Sequence, residues 1–474
     1  MSLRQAFFYY MKFKLNENRK EIITDTLTPV SIYLKIRDNY ANSILLESSD
    51  YSSKDNSYAY ICFKPIAKFQ VENNHIKTKY PCKEFITEKI NDNESVLEKL
   101  NEFIGSFEFS NEFKNDKFQS KGIYGYMSYD SINYFENIKL SNKDYGDSIP
   151  QMLYCLYENV IVVNTFNNQA TIISFSDDND EINKIEKLIF NKAISNFNFK
   201  KVGDIKSNLT DKEFIKLVKN GISHCMRGDV FQIVLSRKFV QPFQGDDFNV
   251  YRNLRSINPS PYLFYFDYGK FKIFGSSPEA QLVINNQKAE IHPIAGTFKR
   301  TGDDNYDREK AKELLKDDKE NSEHMMLVDL ARNDLSRSCK DVVVEKDREI
   351  QFYSHVIHLV SKVTGTLKSK SKEIIGNTFP AGTLTGAPKY KAMELINHYE
   401  TSKRQFYGGA IGMIDIKGNF NHAIIIRSFL SKNQSLYFQA GAGVVSKSVP
   451  KNELNEVYNK VGALMKSIEK AELK

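Results

Sequence analysis

Two hydrophobic patterns share the chain, and together they predict a protein that combines a large sheet with helices. From about residue 20 to 175, short apolar runs such as YAYICFKPIAKFQV and CLYENVIVVNTF are separated by polar stretches rich in Asn, Asp, Lys and Ser. Runs of this kind between turn-forming residues are typical of an antiparallel sheet with long loops. Residues 198–210 are polar and lack periodicity, which makes them the best candidate for a linker.

Helical spacing begins directly after that segment. Thr210 is followed three residues later by Glu213, the signature of a capping box, and apolar residues then recur at helical intervals. Strand-like runs resume beyond it, interleaved with helical segments at 307–337, at 387–399 and from about 450. We therefore expect an α+β fold, a large mixed and mainly antiparallel β-sheet system with helices packed outside. The expected division is a β-rich N-terminal region at 1–200 and a second domain at 208–467.

Two Glu-x-x-Glu pairs, far apart in the sequence, are candidates for metal binding. Glu320 and Glu323 lie in one helical segment, and Glu453 and Glu456 lie in another. Residues three apart share a helix face, where like charges repel mildly. If the two faces converge, the four carboxylates form a site for a hard divalent cation such as Mg²⁺. The alternative is two solvated helix faces, the normal environment of Glu.

Two glycine-containing segments are candidates for anion binding. TFPAGTLTGAPKYKAMELI opens a helix near Pro388, where free N–H groups favour an anion. QAGAGVVS follows a strand and carries Gly441 and Gly443. Neither segment matches a phosphate-binding loop or a dinucleotide fingerprint, and simple tight turns are the alternative for both.

Arg427 and His358 are further candidates. Arg427 ends the apolar run AIIIRS, so its guanidinium needs an anionic partner or a path to solvent. A bidentate clamp on a substrate carboxylate and an internal salt bridge are equally compatible with this position. His358 follows His355 by three residues, and a structural histidine is the default for either, although His358 is also a candidate base.

Composition argues against several classes of protein. The chain has 474 residues, no apolar run long enough to span a bilayer and no signal-peptide pattern at its N-terminus, so we expect no membrane association. Five scattered cysteines without Cys-x-x-Cys spacing favour a reducing, cytoplasmic location. The net charge is +7, but basic residues are spread among nearly as many acidic ones, so we expect no nucleic acid partner.

Segments in the second half of the chain resemble the chorismate-utilising enzymes, the family of the anthranilate, aminodeoxychorismate, isochorismate and salicylate synthases. The similarity is dense and keeps its order from about residue 208 to 467: GSSPEAQL, HPIAGTFKRTG, ENSEHMMLVDLARNDL, HVIHLVSKVTG, FPAGTLTGAPKYKAMELI, FYGGAIG, IIIRSF and QAGAGVVSKSVPKNELNEVYNK. The resemblance implies an enzyme that binds chorismate and depends on Mg²⁺.

The resemblance also implies a role for each matching residue. Glu323 and Glu456 would hold Mg²⁺ on the ring carboxylate of chorismate, and Glu320 and Glu453 would lie close by. His358 would take the ring proton, and Glu320 would protonate the departing 4-hydroxyl. The other implied residues bind the substrate, chiefly its enolpyruvyl carboxylate, or line the pocket: Gly296, Thr297, Thr383, Tyr407, Arg427, Gly441, Gly443 and Lys460.

Two positions separate the members of this family by mechanism. Relatives that use water carry a lysine base where this chain has Gln232, and a carboxamide cannot take a proton from water. Aminodeoxychorismate synthases typically carry a nucleophilic lysine in P-I-K-G-T, where this chain has Ala295. Both differences imply direct attack by ammonia, which makes anthranilate and pyruvate the expected products. Aminodeoxychorismate synthase component I, in folate synthesis, is the alternative, and a non-catalytic sensor of chorismate or tryptophan is a more distant one.

The N-terminal region carries an implied regulatory element. ILLESSD, residues 44–50, resembles the family's L-L-E-S element, which forms a tryptophan feedback site with NPSPYLF at 258–264. The alternative is a strand edge with an exposed Glu47. No glutaminase module is evident, so a separate glutamine amidotransferase subunit (component II) would supply the ammonia. The implied tryptophan-binding residues are Leu46, Glu47, Ser48, Pro261, Tyr262 and Leu263.

Overall fold

The computed structural model describes residues 12–48, 57–91, 95–110, 120–138, 140, 148–352, 356–369 and 373–473. Strands β1 to β25 follow one another along the chain, with these bounds: Phe13–Asn16, Asn18–Ile23, Ile44–Ser48, Tyr58–Glu72, His75–Lys79, Ile86–Lys89, Phe107–Ser110, Gly122–Met127, Met152–Asn164, Gln169–Ser174, Phe199–Lys201, Lys206–Ser207, Gln232–Gly245, Tyr262–Asp267, Lys272–Ser277, Ala280–Asn285, Lys288–Ile291, Ile294–Lys299, Cys339–Phe352, Val356–Leu367, Gly386–Ala387, Ala410–Asp415, Phe420–Ile424, Ser428–Lys432 and Ser435–Val444.

Helices α1 to α10 are numbered in the same way. Two short 3₁₀ turns, Tyr129–Tyr134 and Gly382–Leu384, accompany them. The helices span Pro29–Arg37, Val96–Gly105, Glu181–Phe190, Asp211–Met226, Phe248–Ile257, Asp304–Lys316, Asp318–Ser336, Glu373–Thr378, Lys389–Tyr399 and Pro450–Glu472.

Most of the strands join one continuous antiparallel sheet. Neighbouring strands follow the order β13, β25, β24, β15, β14, β3, β4, β9, β8, β22, β23, β16, β17, β20 and β19. Strand β18 pairs with β20, and β10 pairs with both β2 and β9. The predicted α+β fold with a mainly antiparallel sheet is confirmed.

Strands from both halves of the chain alternate within this sheet. Strand β3 lies between β14 and β4, and β8 lies between β9 and β22. The sheet therefore crosses the predicted domain boundary near residue 200, which itself stays a prediction. The segment 198–210, predicted as a linker, contains β11 and β12, which pair with β13, because its few apolar residues suffice for short edge pairing.

Local sequence signals account for the helix boundaries that matter most. At α4, the Thr210 side chain caps the Glu213 N–H and the Glu213 carboxylate accepts from the Thr210 N–H, so the predicted capping box is confirmed. Asp317 separates α6 from α7: its backbone is extended, and its carboxylate accepts the N–H of Glu320 at 3.0 Å. This cap starts the helix that carries Glu320 and Glu323.

Two large apolar cores lie on the two sides of the sheet. One core contains side chains of α2 and α7, and the other contains side chains of α1, α4, α5 and α10. Burial of this apolar surface is the main force that holds the helices on the sheet. Among the described helices, none combines the length and the apolar content that a bilayer crossing requires.

Candidate functional site

Strands β13 and β25 bring the two predicted metal-binding helices to one place. Gln232 begins β13, and its Nε2 donates to Oε1 of Glu323 on α7 at 2.9 Å. Lys460 on α10 donates from Nζ to the carbonyl oxygen of Gly441 on β25 at 2.9 Å and pairs with Oε1 of Glu456 at 2.7 Å. One carboxylate from each Glu-x-x-Glu pair therefore faces the same two strands.

Gly441 and Gly443 are required by close approach. Both lie within β25, so the alternative of a tight turn is wrong for this segment. A Cβ on Gly443 would lie 2.4 Å from Nε2 of Gln232, and one on Gly441 would lie 2.8 Å from the carbonyl oxygen of Leu235. Any side chain here would displace the groups that face the site.

The carboxylates suit Mg²⁺ chemically. Among the described residues, no three His, Cys, Asp or Glu side chains form a ready-made metal cluster. Mg²⁺ is usually bound by one or two carboxylates together with substrate oxygens and water, so two converging carboxylates fit it. Glu323 and Glu456 are the carboxylates that would hold it here. Glu453 is buried. Glu320 lies next to Gly296, since its Oε2 would be 3.3 Å from a Cβ placed on that glycine.

His358 is held in a defined tautomer. Its Nδ1 is 2.9 Å from the carbonyl oxygen of Gly296, and a carbonyl only accepts, so Nδ1 donates and the lone pair lies on Nε2. Burial, together with a smaller effect of the positive charge of Arg427, lowers the pKa of His358 to about 4. The ring is therefore neutral at pH 7. Thr297 pairs with His358 through the backbone, and its side chain lies outside the described residues.

Arg427 lies near Glu279 at the candidate site. It follows β23 in a left-handed conformation with φ of 50°. In the part of the chain that the structure describes, its side chain makes no ion pair or hydrogen bond with a carboxylate, which contradicts the internal salt bridge. Burial lowers the pKa of Arg427, and the nearby Glu279 offsets part of that decrease. A guanidinium can bind a carboxylate ligand through two parallel hydrogen bonds.

Glu279 is a functional candidate that the sequence interpretation missed. Its carboxyl group is buried, and Oε1 accepts a hydrogen bond from Oγ1 of Thr383 at 2.9 Å. Burial raises the pKa of Glu279 to about 7, against the lowering effects of Thr383, Arg427 and Lys460. The sequence signal was an acidic residue between a pair of serines and an apolar strand, in GSSPEAQL. In the sequence this segment counted only towards the family resemblance.

Tyr407 lies beside the glycines of β25. Its ring is buried, and its hydroxyl oxygen accepts a hydrogen bond from the backbone of Gly441, where an added Cβ would lie 3.1 Å from that oxygen. Burial raises the pKa of Tyr407, so the phenol stays protonated and can donate. Tyr407 and Lys460 both contact Gly441, and Glu279, which accepts from Thr383, lies close enough to Arg427 and Lys460 for their charges to lower its pKa.

The two segments predicted to bind tryptophan are adjacent. Strand β3 pairs with β14, placing Ser48 opposite Tyr262 and Glu47 opposite Leu263. Glu47 is buried and receives hydrogen bonds from Arg255 and from the hydroxyl of Tyr251, so the alternative of an exposed Glu47 at a strand edge is wrong.

Alternation along the strands divides the six predicted tryptophan-binding residues. Successive side chains point to opposite faces, so Leu46, Ser48 and Tyr262 share one face while Glu47 and Leu263 point to the other. Pro261, half-buried, immediately precedes β14. Residues 49 and 50 of the same element lie outside the described residues. The assignment of these residues to a tryptophan site stays a prediction.

Comparison with known proteins identifies the family. Residues 44–466 match the family model of the chorismate binding enzyme. The chain is 35% identical to anthranilate synthase component 1 of Aquifex aeolicus, covering 97% of each chain. It is also 35% identical to the Bacillus subtilis protein of the same name, covering 94% of this chain and 91% of that one.

Solved structures show the same relationship. Anthranilate synthase component I from Streptococcus pneumoniae superposes with a TM-score of 0.76 at 30% identity, covering 94% of this chain and 99% of that one. The menaquinone-specific isochorismate synthase of Escherichia coli has a TM-score of 0.72 at 16% identity over 98% of both chains, a likeness of fold. The chain belongs to the chorismate-binding enzyme family.

Proposed function

We propose that this chain is the synthase component of anthranilate synthase, which converts chorismate and ammonia into anthranilate, pyruvate and water. The observation that carries the proposal is the pocket pair of Arg427 and Glu279. Among the described residues, the Arg427 guanidinium makes no hydrogen bond or ion pair with a carboxylate, and the nearby Glu279 is an acid with a pKa of about 7. The relatives that match most of the chain at 35% identity support the same reading.

Substrate binding uses the charges that the pocket leaves available. The guanidinium of Arg427 and the hydroxyl of Tyr407 bind the enolpyruvyl carboxylate beside the backbone of Gly441. Glu323 and Glu456 would hold Mg²⁺ on the ring carboxylate. When bound, the ion neutralises part of the charge of a dianionic substrate. These interactions orient the ring between β13, β25 and His358.

Glu279 supplies the proton for the leaving hydroxyl. As ammonia forms a bond to C2 of the ring, the bond from C4 to its hydroxyl breaks, and a proton from Glu279 turns the departing group into water. A carboxyl group with a pKa of about 7 is partly protonated at neutral pH, which suits a general acid. Glu320, implied for this role by the resemblance, remains the competing candidate.

His358 accepts the ring proton in the second stage. Removal of the proton at C2 restores aromaticity, while the enolpyruvyl ether bond breaks and the side chain leaves as pyruvate after protonation of its methylene. The lone pair on Nε2 is set by the Nδ1 hydrogen bond to Gly296. Bound anionic substrate raises the pKa of the ring, because an opposite charge favours imidazolium.

Ammonia fits the nucleophile position better than water does. The carboxamide of Gln232 is already a hydrogen-bond donor to Glu323 and cannot act as a base. Ala295 is buried on β18 and offers no amine for covalent attack. Ammonia needs no base to attack the ring. A glutamine amidotransferase subunit would deliver it, and tryptophan would inhibit through the β3–β14 face that carries Ser48.

The test is product identification with the purified chain. Incubation with chorismate, Mg²⁺ and ammonium chloride should give anthranilate, followed by fluorescence, and one pyruvate per anthranilate, followed with lactate dehydrogenase. Accumulation of aminodeoxychorismate without pyruvate would replace the proposal by its alternative. No turnover of chorismate, together with tight chorismate binding, would instead favour a sensor.

A further inference from the structure

Arg404 is a fully buried cation beside Tyr407, with its Cζ 5.6 Å from the centre of the tyrosine ring. Its side chain is 1% exposed, and it pairs with Glu400, whose side chain is 6% exposed. The pair is bidentate: Nε donates to Oε2 at 2.8 Å, and Nη2 donates to Oε1 at 2.6 Å. Burying two charges is costly unless every donor and acceptor is satisfied, so a pair at this position needs a reason.

The remaining hydrogen bonds of the pair connect two parts of the candidate site, the 382–384 turn and β13. Arg404 donates to the carbonyl oxygen of Leu384, next to Thr383, at 2.6 Å, and to that of Val234 on β13 at 2.8 Å. Oε1 of Glu400 accepts from the backbone N–H and the hydroxyl of Ser236, also on β13. The pair thereby joins the 382–384 turn to the strand that carries Gln232.

Arg404 also stacks between two tyrosine rings. Its Cζ is 4.9 Å from the ring centre of Tyr129 and 5.6 Å from that of Tyr407. Tyr129 belongs to the first half of the chain, and its N–H donates to the carbonyl oxygen of Gln405. A guanidinium between two faces is attractive to both rings and fixes their separation. Arg404 therefore contacts the face of the Tyr407 ring, while the hydroxyl of Tyr407 hydrogen-bonds with Gly441.

We propose that Arg404, paired with Glu400, is a positioning residue that holds the Tyr407 hydroxyl and the Thr383 turn in register with β25. Its effect reaches the substrate through Tyr407, which binds the enolpyruvyl carboxylate. This inference rests on the proposed function, because Tyr407 has a substrate only if the pocket binds chorismate.

A double-mutant cycle tests the proposal. Removing one charge alone would leave the other buried and unpaired, so both are replaced together by Glu400→Leu with Arg404→Met, a change that buried ion pairs often tolerate. This pair replacement is made in the wild-type and in the Tyr407→Phe background. The matched control is Lys391→Met with Glu394→Leu, which removes an exposed ion pair of α9. Thermal unfolding and steady-state kinetics with chorismate are measured for each.

The pair replacement should raise the KM for chorismate about tenfold with little change in kcat, because uniform binding is lost. In the Tyr407→Phe background it should raise KM less than about twofold, since coupled residues are not additive. The exposed control should leave KM unchanged. Equal increases in both backgrounds, or no increase in either, would overturn the proposal.

A second variant covers poor folding of the pair replacement. Arg404→Lys keeps the charge but lacks the planar fork that reaches both carbonyl oxygens and the two rings. It should raise KM in the wild-type background and leave KM nearly unchanged in the Tyr407→Phe background, and equal effects in both would again refute positioning through Tyr407. A wild-type chain that does not turn over chorismate would overturn the proposed function and this inference together, whereas an active wild type with an additive cycle overturns this inference alone.

Discussion

Replacing Glu279 by Gln tests the proton donor through two independent properties. Gln has the shape of the protonated acid and keeps an oxygen that accepts from Thr383, but it neither ionises nor transfers a carboxyl proton. Burial raises the pKa of Glu279 from 4.5 to about 7. That rise of about 2.5 pH units, at 1.36 kcal/mol each, means that ionising Glu279 costs the folded state about 3 kcal/mol.

The sign of the effect on stability follows from the raised pKa. Below about pH 4.5 the carboxyl group is protonated in both the folded and the unfolded chain, so Glu279 behaves like Gln. As the pH rises from 4.5 towards 7, the unfolded chain releases this proton first, and the wild type loses stability relative to the variant. Between about pH 4.5 and about pH 8, E279Q should gain about 3 kcal/mol in free energy of unfolding relative to the wild type.

Urea denaturation at both ends of this window measures the difference, and kinetics measure the chemistry. The kcat of E279Q should fall about 10²- to 10⁴-fold, the usual contribution of a general acid. The wild-type kcat/KM should decline as the pH rises through about 7, when Glu279 loses its proton. Glu394→Gln, on the exposed face of α9, is the control and should change neither property.

Two outcomes would refute the reasoning about Glu279. A stability difference that is the same at low and high pH would show that the carboxyl group does not titrate in this window. A kcat within a few fold of the wild type would show that another group protonates the leaving hydroxyl. Glu320→Gln, assayed alongside, distinguishes the two candidate acids. Only replacement of the true donor should both lower kcat and remove the decline of kcat/KM at high pH.

Three further predictions concern the metal, the close contacts and regulation. Glu323→Gln should weaken Mg²⁺ binding in calorimetry at least tenfold, and an unchanged Mg²⁺ affinity would remove this residue from the metal site. Gly443→Ala should act in the same direction, because its Cβ would lie 2.4 Å from Nε2 of Gln232, which orients Glu323. Gly462→Ala, with nothing within 4 Å, is its control and should raise the stability of α10 by about 0.5–1 kcal/mol. Ser48→Leu should abolish inhibition by tryptophan without changing the KM for chorismate, and full inhibition of this variant would place the tryptophan site elsewhere.

Local sequence determined a large part of this protein. The capping box at Thr210 and Glu213 depends on residues three apart, so it was predictable without the fold. The α+β class followed from the two periodicities. The segments of residues 208–467 indicated the right family, because each is a short run of residues that can be recognised without the fold. The sequence also shows which residues alternate within β3 and within β14. It does not show which residue of β3 pairs with which residue of β14.

Tertiary structure decided which groups are charged, satisfied or in contact. The pKa of Glu279 is raised because the fold removes water from a carboxyl group, and neighbours in sequence do not report that. Glu47 is not an exposed strand edge, because the sheet buries it against Arg255. Arg404 and Glu400 are close in sequence, but Tyr129 and Tyr407 reach them from different parts of the chain. Such contacts depend on packing between distant segments, so only the folded chain determines them.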